Sequence, residues 1–211
     1  MAEEYYIYAI EEIINNKYLV INYILDGTFG QVLKIKDIYS NNFYAIKILV
    51  EKEQIIKWWK YEMSFIDKIA TKDKNNTSHC ISIKDNINLG KNQKKYYGYI
   101  FELLGLNIYE YVKLNSFMGF NIIQIQQISK QLLQGVEFLH NINIIHTDLK
   151  PENILFINSD FNKINKFPRN ISNYKRNNLL YSNIRKTDIK IIDFGSSMLG
   201  DNKFYGIINT R

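Results

Sequence analysis

The chain has 211 residues, 46% of them hydrophobic, which is enough to bury the core of one large domain or two small ones. Its net charge of +6 is well below that of a protein that coats nucleic acid, and its single cysteine, Cys80, excludes an internal disulfide. The start Met-Ala-Glu-Glu predicts no secretory signal, and no apolar run approaches the roughly 20 residues of a spanning helix, so we expect a reducing compartment and no membrane.

The first half of the sequence predicts a small sheet with one helix. Apolar runs between residues 18 and 50 predict three antiparallel strands, and two more strands are predicted at 81–88 and 96–103. Residues 53–70 carry a helical apolar stripe, and Glu62 falls in the middle of it. A carboxylate on a core-facing stripe needs a partner. The stripe consists of Ile55, Trp59, Ile66 and Ile69.

The second half predicts a helical region. We expect a short helix at 108–114, a longer one at 122–140, and two short strands at 153–157 and 189–194. The connection at 158–188 has little periodicity, so it is either functional or disordered. The stripe of the longer helix consists of Ile125, Ile128, Leu132, Val136 and Leu139.

Most of the surplus positive charge lies in that connection, where no acidic residue occurs between 161 and 187. A solvated loop and an import or docking surface remain the two interpretations. Its basic residues are Lys163, Lys166, Arg169, Lys175, Arg176, Arg185 and Lys186.

Two features of the predicted sheet suit a phosphate ligand. The segment LDGTFGQV at 25–32 places Gly27 and Gly30 where backbone could approach phosphates without Cβ clashes, although an ordinary hairpin turn would carry the same residues. Lys47 follows on the third strand and shares a face with Ala45. An inward lysine needs an anion, and Glu62 on the helix is the natural one.

Two further motifs follow in the helical region: HTDLKPEN at 146–153, and DFG at 193–195 after an apolar strand. With the glycines and Lys47 before them, they resemble the motifs of the protein kinases. The resemblance implies that Asp148 accepts the proton of a substrate hydroxyl, that Lys150 offsets γ-phosphate charge, and that Asn153 and Asp193 bind Mg²⁺. It also implies that Lys47, held by Glu62, reaches the α- and β-phosphates of ATP.

Three details resemble the LAMMER-type dual-specificity kinases, also called the cdc-like kinases. Thr147 stands where most kinases have arginine, FELLGL occupies 101–106, and the insertion before the DFG strand opens with Asn-Ser-Asp at 158–160. This resemblance also implies an adenine site. Its residues would be Leu25, Gly27, Gly30 and Val32 of the glycine loop, Ala45 and Leu155 beside the ring, Phe101 as gatekeeper, and Glu102 and Leu104 at the adenine edge.

The predicted architecture is therefore α+β and protein-kinase-like, with an N-terminal β lobe with one helix at 1–104 and an incomplete helical lobe at 105–211 carrying the basic insertion 158–188. The family resemblance implies phosphorylation of Ser, Thr and Tyr in proteins, with Arg/Ser-rich splicing factors as substrates, in the nucleus or cytoplasm. Because residue 147 is not an arginine, this position has no buried cation for an activation-loop phosphate to neutralise. We therefore expect activity that is independent of phosphorylation of the activation loop.

The chain ends at Arg211, ahead of the Tyr-Arg-Ala-Pro-Glu expected next in the family. We therefore expect a partial gene product that exposes apolar surface and has low stability as an isolated monomer. The alternative is an inactive ATP-binding or regulatory fragment that needs a partner chain. A basic nucleic-acid-binding module is a third hypothesis, supported by the insertion alone.

Overall fold

The computed structural model describes residues 5–27, 30–50, 52–91, 94–164 and 181–201. The chain divides into two compact units. The first comprises Met1–Lys74 and Ile81–Leu103, and the second comprises Asn75–Cys80 and Leu104–Arg211. The predicted α+β class is confirmed. The first unit has a sheet with one long helix, and the second has helices with short strand pairs.

The first unit is built on a six-stranded sheet in the order β1-β2-β3-β4-β6-β5, in which all neighbours are antiparallel. All five predicted strands are present, and the two-residue strand β1 is additional. The elements are β1 (Ile13–Ile14), β2 (Tyr18–Gly27), β3 (Gly30–Asp37), β4 (Phe43–Val50), the helix α1 (Glu53–Lys72), β5 (Ile83–Lys91) and β6 (Lys94–Glu102).

The two faces of this sheet have different chemistry because side chains alternate along each strand. One face carries a fully buried apolar core, and the opposite face of β4 carries Ala45 and Lys47. The core side chains include Val20, Leu33, Ile35, Ile46, Ile48 and Ile100. The helix α1 buries six residues, among them Glu62. The others are Trp59, Met63, Phe65, Ile66 and Ile69, so of the predicted stripe only Ile55 is not buried.

Among its described residues, the second unit contains two helices and three short antiparallel strand pairs. Both helices begin with a capping box, in which Asn107 pairs with Glu110 and Asn121 with Gln124, and this fixes where they begin. The elements are α2 (Ile108–Leu114), α3 (Ile122–Asn141), β7 (Ile144–Ile145), a 3₁₀ turn (Pro151–Asn153), β8 (Ile154–Phe156), β9 (Phe161–Ile164), β10 (Tyr181–Ile184), β11 (Ile189–Ile191) and β12 (Met198–Leu199). The strands pair as β7 with β12, β8 with β11, and β9 with β10.

The stripe predicted on α3 is partly wrong. Ile128 and Leu139 are buried as expected, but Ile125 is 37% exposed, and Gln124 is buried in its place. Gln124 is buried because its Nε2 donates to Asn183 Oδ1 at 3.0 Å. On the buried face of α3, a hydrogen-bonded polar side chain, Gln124, therefore takes the place predicted for the apolar Ile125.

The segment Asn75–Cys80 belongs to the second unit through Lys190 on β11. Lys190 is 2% exposed, and its Nζ donates to Asn76 Oδ1 at 2.6 Å and to the Cys80 carbonyl at 2.9 Å. The Ile191 amide also donates to the His79 carbonyl at 2.7 Å. Cys80 is buried, and its Sγ donates to the Ser78 carbonyl at 3.5 Å.

The insertion 158–188 contains structure that the sequence did not predict. Strands β9 and β10 form a hairpin whose Tyr181 and Ile184 are buried in the core of the second unit. Lys163 Nζ donates to Ser182 Oγ at 2.6 Å, and Arg185 Nε donates to Asn162 Oδ1 at 2.8 Å, so both cations contact the hairpin itself. Lys186 is exposed. The other four basic residues of the insertion, Lys166, Arg169, Lys175 and Arg176, lie outside the described residues.

In the part of the chain that the structure describes, no helix combines the length and the apolar character needed to cross a bilayer.

Candidate active site

Most of the residues predicted to contact a nucleotide in the first unit lie on one face of the sheet, whereas the side chain of Glu102, opposed to Tyr44, projects to the other face. Directly opposed residues of antiparallel strands project to the same face. The opposed pairs are Leu25 with Val32, Val32 with Lys47, Lys47 with Tyr99, and Ala45 with Phe101. This face is the one opposite the apolar core. Register alone therefore brings together side chains from four strands.

The glycines of the loop at 25–32 have separate roles in the sheet. Gly27 and Gly30 are opposed at the end of the β2–β3 pair, so the hairpin interpretation of this segment is compatible with the structure. A Cβ at Gly30 would lie 2.0 Å from the Ile48 carbonyl oxygen, which only glycine avoids. Leu25, in place of the first loop glycine, is 47% exposed. Thr28 and Phe29, between the two glycines, lie outside the described residues.

Lys47 forms the predicted ion pair with α1. Its Nζ lies 3.4 Å from Glu62 Oε2, and the side chains are 20% and 9% exposed. Because the pair is largely removed from water, its attraction is stronger than that of a surface pair. Nζ also lies 4.2 Å from the ring centroid of Trp59, one turn before Glu62 on the same helix face.

Trp59 is the largest side chain buried beside this ion pair. It is 1% exposed, and its ring packs 4.6 Å from the ring of Tyr99 and 6.3 Å from that of Phe101. Burial raises the pKa of Tyr99, and the Trp59 side chain beside it opposes that rise.

In the second unit, His146 is fixed in its neutral form. The ring is 3% exposed, its Nε2 lies 2.9 Å from the Ile192 carbonyl, and its Nδ1 lies 3.3 Å from the Asp148 amide. Nε2 must donate to the carbonyl and Nδ1 must accept from the amide, so the neutral tautomer protonated at Nε2 satisfies both contacts. Burial lowers the pKa of His146, against the opposing effect of its contact with Ile192.

Thr147 adopts a backbone conformation that its side chain disfavours. Its φ is 64°, in the left-handed region, where a β-branched residue carries strain of order 1–3 kcal/mol. Its Oγ1 donates to the Ser196 carbonyl at 2.6 Å. The same two segments are also joined by the pairing of Ile145 with Met198, each two residues from Thr147 or Ser196. The loop is thus tied directly to the residues that follow DFG.

Asp148, Lys150 and Asn153 form one hydrogen-bonded group. Asp148 Oδ2 accepts from Lys150 Nζ at 2.7 Å and from Asn153 Nδ2 at 3.1 Å, and Nδ2 also donates to the Asp148 carbonyl at 3.0 Å. The hydrogen bond to Asp148 raises the pKa of Lys150 and keeps it cationic. Within the described ranges, Asp148 Oδ1 accepts no hydrogen bond.

Asp193 and Asn153 supply oxygen ligands suited to Mg²⁺. Asp193 has φ 66°, and its charge favours the protonated forms of both His146 and Lys150. Asn153 turns its Nδ2 toward Asp148, and neither its Oδ1 nor the Asp193 carboxylate accepts a hydrogen bond from the residues described. One carboxylate and one amide oxygen fit an ion that completes its shell with water and phosphate.

No cluster of three or more His, Cys, Asp or Glu side chains occurs among the described residues.

The segment after Phe101 connects to the insertion. Glu102 Oε1 accepts from Ser82 Oγ at 3.4 Å, and Leu104 is half-buried. The Leu106 amide donates to Ser159 Oγ at 2.6 Å, and a Cβ at Gly105 would lie 2.2 Å from that oxygen. Gly105 is thus required by Ser159.

Leu155, predicted beside the adenine ring, lies on β8. It is half-buried, and it is opposed to Lys190 of β11 and bridges Asn107.

The predicted site residues fall into two groups. Leu25, Gly27, Gly30, Val32, Ala45, Lys47, Glu62, Phe101 and Glu102 lie in the first unit, and Leu104, Asp148, Lys150, Asn153, Leu155 and Asp193 lie in the second. Direct contacts join Lys47 to Glu62, and Asp148 to Lys150 and Asn153.

Two features together define a protein kinase domain. The first is the ion pair between Lys47 on the sheet and Glu62 on α1. The second is the group of Asp148, Lys150 and Asn153, followed by the DFG aspartate, Asp193, with its backbone in the left-handed region. The family model "Protein kinase domain" matches residues 18–168, and the chain belongs to this family. Protein kinases generally use ATP and Mg²⁺ and act on protein substrates.

Similar proteins narrow the comparison to one branch of kinases. The chain is 32% identical to the serine/threonine-protein kinase Doa of Drosophila melanogaster over all of its own length and 24% of that protein. It is 31% identical to the dual specificity protein kinase CLK2 of Homo sapiens, again over its full length and 40% of that protein. The resemblance to the LAMMER-type, or cdc-like, kinases is thereby confirmed.

A crystal structure of a kinase domain matches with a TM-score of 0.78 at 28% identity, covering 98% of this chain and 58% of that one. The protein-kinase-like fold predicted from the sequence is confirmed by this likeness. The chain spans well under two thirds of these relatives, at 24%, 40% and 58% of their lengths.

Sequence reasoning gave no site role to Trp59, Tyr99 or His146. Trp59 was identified only as part of an apolar stripe, yet its position three residues before Glu62 signals a shared helix face. Tyr99 follows from register with Lys47 once the strands are paired. The contact of His146 with the Ile192 carbonyl spans 46 residues and has no local signal.

Proposed function

We propose that this chain is the phosphate-transferring part of a protein kinase that moves the γ-phosphate of ATP to serine or threonine, and also to tyrosine, in protein substrates. The observation that supports this most is Asp148, whose Oδ2 is held by Lys150 and Asn153 while Oδ1 is left for a hydroxyl. A base in that state is ready to accept the proton of the attacking group.

The other residues complete the proposed assignment. Lys47, oriented by Glu62, binds the α- and β-phosphates, and Lys150 offsets charge on the γ-phosphate. Asn153 and Asp193 hold Mg²⁺, which supplies charge neutralisation on the phosphates when bound. Glu102 and Leu104 give backbone contacts to the adenine edge. The residues that enclose the nucleotide are Leu25, Gly27, Gly30, Val32, Ala45, Phe101 and Leu155.

The proposed substrates are Arg/Ser-rich splicing factors, and the proposed place of action is the nucleus or the cytoplasm. Both rest on the resemblance to the LAMMER-type kinases, which the likeness to Doa and CLK2 supports. A peptide series in which arginines flanking one serine are replaced singly by alanine tests the substrate class. Equal rates across the series would contradict it.

The proposed activity is independent of phosphorylation after DFG. Position 147, arginine in most kinases, carries a neutral hydroxyl that is already bonded to the Ser196 carbonyl. No charge at this position requires a phosphate. Phosphatase treatment should leave the rate unchanged, and activity that returns only on rephosphorylation would contradict this.

The test of the proposed function compares the chain with Asp148→Asn. Transfer from Mg-ATP to an Arg/Ser-rich peptide should fall by roughly 10²- to 10⁴-fold in the variant. Calorimetric binding of Mg-ATP should persist, because Asn fills the same space. Equal transfer by both proteins would remove Asp148 from this role.

The alternative is an inactive ATP-binding or regulatory fragment that needs a partner chain. It predicts Mg-ATP binding without transfer by either protein in the same assay. The mass of the native protein separates the two cases further, since a product much larger than 25.0 kDa carries residues beyond this chain.

A further inference from the structure

We infer that Trp59 is a positioning residue for Lys47, because its indole face holds the Lys47 ammonium. Binding of a nucleotide to Lys47 should therefore change the environment of the indole. This inference rests on the proposed function, because it assumes that Lys47 receives phosphates. It adds a residue to which the kinase motifs assign no role.

The geometry gives Lys47 two constraints. Its Nζ lies 3.4 Å from Glu62 Oε2 and 4.2 Å from the Trp59 ring centroid. A lysine has a flexible four-carbon stem, so one ion pair fixes only its distance to one oxygen. The aromatic face adds a second direction, because its negative quadrupole attracts a cation most strongly where water is excluded.

The ring that holds Lys47 cannot easily move. Trp59 is 1% exposed and packs against Tyr99, which is opposed to Lys47 across the sheet, and against Phe101. Among the other cation–π contacts of the described residues, Phe43 under Lys34 is 45% exposed, and Tyr18 is 2% exposed but its cation, Lys17, has a side chain that is 39% exposed, against 20% for Lys47. A buried, braced ring holds its cation in one place.

Packing alone does not explain an indole at this position. A leucine or phenylalanine would fill this buried space without bringing the polar Nε1–H group of an indole into it. Tryptophan is, however, the aromatic side chain that binds cations best. The ammonium above the ring therefore accounts for the residue type.

The chain offers a direct optical test. It has two tryptophans, Trp58 and Trp59, and Trp58 is 52% exposed. In Trp58→Phe, all tryptophan emission comes from Trp59. Adding Mg-ATP should change that emission saturably, with the midpoint that calorimetry gives for binding. In the same background, Lys47→Met should alter the resting emission, whereas Lys57→Met, an exposed lysine on the same helix, should not.

A second set of variants measures affinity. Trp59→Leu should weaken Mg-ATP binding about 2- to 30-fold, and Trp59→Phe, which keeps an aromatic face, should stay within about threefold of the original. The KM for the peptide should not change. Phe65→Leu is the matched control for lost packing, since Phe65 is 3% exposed on the same helix and packs against Tyr61. It should lower Tm without changing nucleotide affinity.

The outcomes separate the two proposals. Calorimetric binding without an emission response from Trp59, or unchanged affinity in folded Trp59→Leu, overturns the inference and leaves the proposed function intact. No binding of Mg-ATP to the Trp58→Phe chain overturns both. Should Trp59→Leu fail to fold, the emission response and Trp59→Phe still decide the question.

Discussion

The hydroxyl of Thr147 and the carbonyl of Ser196 are joined by a hydrogen bond of 2.6 Å across 49 residues of sequence. The bond links the catalytic loop to the segment after DFG without any charged group. Thr147 keeps this contact from a left-handed backbone conformation, at φ 64°. A β-branched residue in that conformation is strained, so the bond must offset part of the cost.

Thr147→Val tests this bond, because valine keeps the shape and the strain and removes the donor. We expect the free energy of unfolding to fall by about 1 kcal/mol, together with a lower kcat at unchanged KM for Mg-ATP. Thr147→Ser, which keeps the hydroxyl, is the control and should retain activity. Denaturant titration and steady-state rates measure both effects. Equal behaviour of Val and Ser variants would show that the hydroxyl has no role.

Asn153→Asp tests the group around Asp148. The substitution places a carboxylate where Nδ2 now lies, 3.1 Å from Asp148 Oδ2. Neighbouring carboxylates raise the pKa of one of the pair. We therefore expect the acid limb of the pH profile of kcat/KM to move to higher pH.

Asn153→Ala is the control for that shift, since it removes the donor without adding charge. Its rate should fall while the acid limb stays in place. If the limb stays fixed in Asn153→Asp as well, Asp148 is not the group that titrates in the profile.

Stability should depend on pH through His146. Burial lowers its pKa in the folded chain, so the unfolded chain takes up the proton first as pH falls. The contribution of His146 is complete above the ordinary histidine pKa of about 6.5 and is lost as pH falls below it toward the folded pKa. His146→Gln should flatten this dependence.

His140→Gln is the matched control, because His140 is exposed. Denaturant titrations at several values between about pH 5 and 8 measure the free energy of unfolding. An unchanged slope in His146→Gln, or an equal change in His140→Gln, would contradict the assignment.

Asn115 tests the docking of the insertion hairpin. It is 2% exposed, its Oδ1 accepts from the Ser182 amide at 2.8 Å, and its Nδ2 donates to the Ser182 carbonyl at 3.1 Å. Asn115→Ala leaves both backbone groups unpaired, so we expect a loss of about 2–4 kcal/mol in the free energy of unfolding. Asn162→Ala, on the exposed side of the hairpin, should cost within about 0.5 kcal/mol. Similar losses for both would mean that the buried bonds contribute little.

Sequence patterns predicted the helices and strands that are determined by residues close together in the chain. The helix at 108–114 agrees with the structure to the residue, because an apolar stripe and the cap at Asn107 both act over one turn. The sheet face that carries Lys47 also followed from alternation along β4. Motif spacing then identified Asp148, Asn153 and Asp193 as candidate site residues, because each lies in a short, recognisable motif.

Contacts between distant segments could not be read from these patterns. The hairpin of β9 and β10 has its strands separated by 16 residues, from Ile164 to Tyr181, so no continuous periodicity marks it. Strands β7 and β12 have two residues each, too few for alternation to register. Their pairing depends on tertiary packing instead.

The contact between two buried tyrosines, Tyr111 of α2 and Tyr181 of the insertion, has a consequence for how such a chain can change over time. Their hydroxyls lie 3.0 Å apart, and Tyr181 also donates to the Gly119 carbonyl at 2.7 Å. A lineage that lost the whole hairpin would have to refill this volume and find new partners for Tyr111. Additions and losses of residues should therefore collect between Ile164 and Tyr181, while the two strands on either side stay with the domain.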